Sequence, residues 1–331
     1  FIIDAIIILY NDMLLPILSL LTGFVLLMWS ADAFTDNGAK IARIFNISPL
    51  VIGLLIFGFG TSAPEMFVSG LAAFDGHPEM SIGNAFGSNI FNIGLVLGIT
   101  AIILPITVEK SVLKKEWLFL FLSTLVAGFL LLDGILSLTD GLILLALLSL
   151  FLASVFIDSK KGNHIDTDSL ENNSQNQGKG KTWALLCVSL VILVASAKLV
   201  VWGGTSLAIS FEVPELVIGL TVVALGTSLP ELAVSISSAL KKQHQMVIGN
   251  IIGSNLFNTL GVLAIPALIV PFQTPILLLK VPPEVMSRDY ISMLILTLLI
   301  VILSMRLKIS RFGGFILLSA LAVYLYQLFW I

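Results

Sequence analysis

The chain has 331 residues, 57% of them hydrophobic and only 11% charged, with a mean hydropathy of +1.06. Soluble globular proteins carry about 25% charged residues, so a soluble enzyme is excluded, as are a disordered and a collagen-like chain. The lone cysteine, Cys187, excludes a disulfide scaffold, and a formal charge of −3 leaves no basic stripe for nucleic acid.

What remains is an all-α polytopic membrane protein. About 20 apolar residues cross a bilayer as a helix, and the long continuous apolar runs argue against the alternating pattern of a β-barrel. Residues 1–12 form a leading segment before Met13. They lack a basic stretch followed by a cleavage site and are not read as a signal peptide. Five spans are expected near 13–35, 48–73, 80–104, 115–133 and 137–157. Asp158 to Lys181 is rich in Asn, Gln, Ser, Gly and Lys and reads as a polar loop. Five more spans are expected near 182–206, 214–239, 246–270, 288–305 and 313–330. One set of alternating loops holds 14 of the 17 lysines and arginines, Lys40, Arg43, Lys110 and Lys241 among them. That set is placed in the cytoplasm. Both termini and the loop at His77 then lie on the non-cytoplasmic side of an inner membrane.

The sequence repeats at an offset of 166 residues. Leu50–Leu97 aligns without a gap to Leu216–Leu263, with 24 of 48 positions identical. GLLIFGFGTSAPE ends at Glu65 and GLTVVALGTSLPE at Glu231; IGNAFGSNIFN ends at Asn92 and IGNIIGSNLFN at Asn258. An odd number of spans per copy inverts the second copy. The expected architecture is ten transmembrane helices in two inverted five-helix repeats, 1–157 and 182–331, joined by the cytoplasmic loop 158–181. Inverted repeats are a transporter architecture.

Polar groups inside the spans carry the chemistry. A charge at the bilayer centre costs about 2.5–3.5 kcal/mol on insertion scales, yet Glu65 and Glu231 lie well inside their spans. Positions four apart share a helix face. Thr61, Glu65 and Ser69 therefore form a stripe, and Thr227, Glu231 and Ser235 repeat it. Asn84, Ser88 and Asn92, with Asn250, Ser254 and Asn258, form a second pair of stripes. Pro64 and Pro230 free the carbonyls of Gly60 and Gly226, so a loosened or broken helix is expected at mid-membrane, where it must line a cavity or be buried in protein. Carboxylate, hydroxyl, amide and carbonyl oxygens suit calcium or sodium. Taken singly, Ser69, Asn84, Asn89, Asn250 and Asn255 read as helix–helix hydrogen bonds. Asp32, Lys198, Lys115–Glu116 and Arg288–Asp289 read as snorkelling anchors near span ends. The three histidines lie in loops, with no Ser–His pair inside a span, no His/Cys cluster and no phosphate-loop lysine. No catalysis, cofactor or nucleotide is therefore expected; the partners are the lipid bilayer and small cations.

GTSAPE with GNAFGSNIFN, repeated as GTSLPE with GNIIGSNLFN, resembles the two alpha-repeats of the sodium/calcium exchanger, or cation/calcium antiporter, family. The resemblance covers essentially the whole chain and is nearest to the bacterial inner-membrane branch. It implies alternating access, with the first and sixth helices sliding across helices two, three, seven and eight. Matching positions imply an ion site of Glu65, Thr61, Ser62, Ser88 and Asn92 from the first half. Glu231, Thr227, Ser228, Ser254 and Asn258 join from the second, with the backbone carbonyls of Gly58 and Ala224. One position departs: sodium/calcium members carry Asp where this chain has Asn258. Two carboxylates balance one divalent cation, or two monovalent ions or protons. The expected activity is secondary antiport of Ca2+ against Na+ and/or H+. A passive cation channel and a non-transporting scaffold or sensor are the alternatives.

Overall fold

Pro16 opens the first helix, and Asn46 ends it in a left-handed conformation (φ 53°), its amide N–H donating to the carbonyls of Ala42 and Arg43. Pro49 and Pro78 open the next two helices at positions where the missing N–H costs nothing. A computed structural model describes residues 13–161, 179–212, 224–273 and 279–330. Eight of the described helices are long and apolar enough to cross a membrane. They are α1 (Leu15–Phe45), α2 (Pro49–Phe74), α3 (Pro78–Ile103), α5 (Leu138–Lys161), α6 (Lys179–Ser210), α8 (His244–Pro271), α9 (Val285–Ser304) and α10 (Arg311–Trp330). Two shorter apolar helices are α4 (Glu116–Leu130) and α7 (Leu229–Leu240). Thus the fourth expected span is a 15-residue helix. The seventh, 214–239, falls partly on 213–223, outside the described residues. Helices also reach Lys161 and resume at Lys179, inside the segment read as a loop. A helix runs on past its apolar stretch, which is all that composition marks.

The exterior is apolar and the interior is not. Val25, Phe129, Leu132 and Phe312 are about 70% exposed, whereas Thr61, Ser62, Glu65, Asn92, Glu231 and Asn258 are fully buried. That reverses the soluble pattern and suits a lipid solvent. Two apolar cores are separate. One joins α2–α5 with α8–α10 around Phe86, Trp117, Leu144, Ile251 and Leu317. The other joins α1, α6 and α7 around Phe34, Ile41, Leu193, Val200 and Val234, with Ile52 and Phe57 of α2 and Met246 of α8. Two short extended ties link the halves. β1 (Ile106–Thr107) pairs antiparallel with β2 (Lys308–Ile309), and Ile135 bridges Lys280.

Several charged residues behave differently from their reading as snorkelling anchors. Asp289 is buried and accepts from Arg288 Nε at 2.7 Å and from the Tyr324 hydroxyl at 3.1 Å. Glu116 is 8% exposed. A partner on a neighbouring helix, Tyr324, removes the need for Asp289 to reach the interface, and a sequence does not display such a partner. Asp32 is ion-paired with Lys241 at 2.7 Å, with its side chain 59% exposed.

Candidate functional site

Four helices meet at the repeated motifs: α2 and α7 carry the acids, α3 and α8 the amides. Glycines let α2 and α8 cross backbone to backbone. A Cβ on Gly58 would lie 2.8 Å from the Gly253 backbone, and one on Gly53 would lie 2.9 Å from the Gly249 Cα. Each of α2, α3 and α8 also holds one wide π-helical stretch, Ile52–Phe57, Asn92–Leu97 and Phe257–Val262. Such turns redirect side chains and recur at functional sites. Two of them sit at Asn92 and Asn258.

The expected helix break takes two forms. In α2 the helix continues from Gly58 to Phe74 through Pro64, and the irregular turn lies just before it, at Ile52–Phe57. In the second copy a short helix, Ala224–Thr227, parts from α7 at Ser228 (φ −90°, ψ 3°). Hydroxyls cap the loosened carbonyls of α2. Thr61 Oγ1 donates to Phe57 O at 2.9 Å, and Ser254 Oγ reaches Gly58 O at 3.4 Å.

One network draws both halves together. Ser62 Oγ donates to Glu231 Oε1 across the repeat at 3.3 Å. Thr61 Oγ1 lies 3.3 Å from Ser254 Oγ and 3.4 Å from Asn250 Oδ1. Asn84 and Asn250 make duplicate braces. Asn84 Nδ2 donates to Glu65 O (3.2 Å) and Ser69 Oγ (2.9 Å). Asn250 Nδ2 donates to Glu231 O (3.3 Å) and Ser235 Oγ (3.0 Å). Ser88 Oγ completes the first brace at 3.5 Å from Asn84 Oδ1. Asn89 joins α3 to α8 through Thr259 Oγ1 at 2.7 Å, whereas Asn255 bonds back within its own helix, to Ile251 O. The reading of Ser69, Asn84, Asn89 and Asn250 as helix–helix bonds matches this geometry; Asn255 differs.

The remaining oxygens have another character. Both carboxylate oxygens of Glu65, Oε2 of Glu231, Oδ1 of Asn92 and of Asn258, and Ser228 Oγ are buried and hydrogen-bond to no protein group. The two carboxylates repel each other electrostatically. Orphaned buried oxygens are costly, and these six, three of them on the two acids, are of the hard kind of which calcium takes six to eight. Thr227 lies at the edge, lining a cavity with Pro64 and Pro230. Ala224 only opens the short helix before it. Among the described residues no group of three His, Cys, Asp or Glu is placed to hold a metal; the site has two acids and no third.

Residues 15–157 and 181–330 match the family described as sodium/calcium exchanger protein. CaxA of Alkalimonas amylolytica is 40% identical over 324 residues, spanning 96% of this chain and 99% of the relative. The inner membrane protein YrbG of Escherichia coli (strain K12) is 36% identical over 96% of this chain and 98% of its own length. A solved structure of the sodium-calcium exchanger NCX_Mj superposes with a TM-score of 0.80 at 35% identity, covering 94% of this chain and 98% of that one.

Proposed function

Because the chain belongs to the sodium/calcium exchanger family, we propose that it is an inner-membrane antiporter exchanging Ca2+ for Na+ or H+ by alternating access. Ten spans in two inverted five-helix repeats carry it, with both termini on the non-cytoplasmic side. One observation supports the site above others: six buried oxygens without protein partners, three of them on the two acids, are drawn from both repeats. Glu65 and Glu231 supply the charge. Asn92, Asn258 and Ser228 supply neutral oxygens. Thr61, Ser62, Ser88, Thr227 and Ser254, with the carbonyls of Gly58 and Ala224, complete the set as ions enter and leave.

The charge count governs the counter-ion. Two carboxylates neutralise one Ca2+, or two Na+ ions, or two protons. A third monovalent ion would leave an uncompensated charge in a buried site. The reading is therefore exchange of one Ca2+ for two monovalent ions.

The test is calcium flux in proteoliposomes, with sodium and pH gradients imposed separately. Uptake driven by one of these gradients supports antiport. Calcium running down its own gradient with no counter-ion would make the protein a channel and overturn the reading.

A further inference from the structure

The two halves share one sequence pattern but are packed differently. α1 lies along α7, and the facing residues Ala31, Thr35 and Val234 are wholly buried, with Ala39 at 6%. Their equivalents at the 166-residue offset are Ala197, Val201, Val68 and Thr205. These instead line a cavity of about 360 Å3, open between α6, α2 and α7, and Val68 is 42% exposed. α6 meets α2 far more sparsely than α1 meets α7. A molecule with internal sequence symmetry has thus been caught shut on one side and open on the other.

The charges follow the same asymmetry. On the shut side Lys241, the residue that ends α7, reaches α1. Its Nζ lies 2.7 Å from Asp32 Oδ1 and 2.6 Å from Asp36 Oδ1, and it donates to Asp32 O at 2.9 Å. Ser237 Oγ donates to Asp32 at 3.1 Å. At the repeat offset Asp32 becomes Lys198, and Lys241 becomes Asp75. The pair recurs with its charges exchanged. Each side joins one short acid to one long lysine, so the combined reach is the same. The backbones agree as well. Asp75 ends α2 with φ −79° and ψ 3°, Lys241 ends α7 with φ −84° and ψ 7°, and each precedes a left-handed residue, Gly76 or Lys242. Lys198 lines the open cavity, and among the described residues no ion pair joins it to Asp75.

α1 and α6 form a closely packed pair, the Gly23 and Gly203 contacts leaving no room for a Cβ. Against the bundle they meet a smaller apolar patch, Ile52 and Phe57 of α2, Val234 of α7 and Met246 of α8. We propose that Lys241 with Asp32 and Asp36, and Lys198 with Asp75, are alternate latches, each closed in one access state. This rests on the alternating-access reading above. In the state seen here the Lys241 latch is closed and the Lys198 latch is open. Moving the α1–α6 pair across the bundle breaks the first and forms the second. Asp36 has Trp202 as its equivalent, so the Lys241 latch holds one acid more and the resting population favours the observed state.

A cysteine lining the cavity reads the population. In full-length Cys187→Ser protein carrying Val68→Cys, maleimide labelling should be fast, because Val68 lines the open cavity and is 42% exposed. Lys241→Met should slow it about two- to fivefold, the range an exposed ion pair supports. Lys198→Asp or Asp75→Lys alone should slow calcium exchange, and the double exchange Lys198→Asp/Asp75→Lys should restore it. Rescue supports the latch. Unchanged labelling in Lys241→Met, together with a double exchange no better than its single parents, overturns it. If the double exchange does not elute as folded protein, labelling of Lys241→Met decides alone. A parent protein without any calcium–counter-ion exchange would sink the transport reading itself, an outcome distinct from a latch that fails in an active exchanger.

Discussion

Glu65 and Glu231 sit where charge has no packing value, fully buried among small polar side chains. Glu65→Gln and Glu231→Gln keep the shape and remove the charge. Each should abolish calcium uptake in proteoliposomes while the protein still elutes as a folded species; near-normal uptake in either would remove the central assignment. Protons bind the same oxygens as calcium, so linkage makes acidification weaken calcium binding and makes calcium binding release protons. The two acids interact, so the midpoint belongs to the pair. Calcium titrations from alkaline to mildly acidic pH without sodium should show affinity falling as pH falls, and a flat profile would exclude protons as competitor. Asn258→Asp would restore the acid that sodium/calcium members carry by resemblance. It should raise sodium affinity, read as the sodium concentration that half-maximally displaces calcium. At this scale the sequence is strongly legible, because an acid inside an apolar span stands out. The braces made by Asn84 and Asn250 were legible only as a general tendency of amides to bond between helices. Their particular acceptors, including the Glu65 and Glu231 carbonyls, needed coordinates.

Between helices the decisive contact is α2 on α8, where glycines meet on both sides. In lipid there is little hydrophobic drive between helices, so close backbone approach and hydrogen bonds hold them. Gly58→Val would push a side chain into the Gly253 backbone, 2.8 Å from where its Cβ must stand. Overpacking of this kind costs about 1–3 kcal/mol. The variant should melt at a lower temperature and bind calcium more weakly, since Thr61 and Ser254 are 3.3 Å apart across that contact. An unchanged melting temperature would show that the helices separate at no cost. Proline signalled irregularity near each acid but not its form. Pro64 rides inside a continuous helix, while the second copy breaks at Ser228. Whether a freed carbonyl bends a helix depends on what packs beside it, and proline spacing alone does not carry that.

For the whole molecule, the two-acid site makes a claim about charge movement. A site that is neutral with one Ca2+ and neutral with two monovalent ions moves no net charge per cycle. Calcium exchange should therefore be indifferent to an imposed membrane potential, checked with a potassium gradient and valinomycin. Exchange rates that rise or fall with the potential's sign would mean a third monovalent ion, and the charge argument would fail.

Hydropathy, the 166-residue repeat and the buried acids determined the class of protein, its family resemblance and the residues proposed for its ion site. Each of these is a local or periodic property, written directly in residue type and spacing. Tertiary structure alone decided which side of the repeat is open, that Asp32 pairs with Lys241, and that Asp289 is buried with Tyr324. Those outcomes depend on how helices far apart in sequence come to rest against each other. One repeated sequence packs in two ways here, so likeness between the copies does not fix how each of them packs.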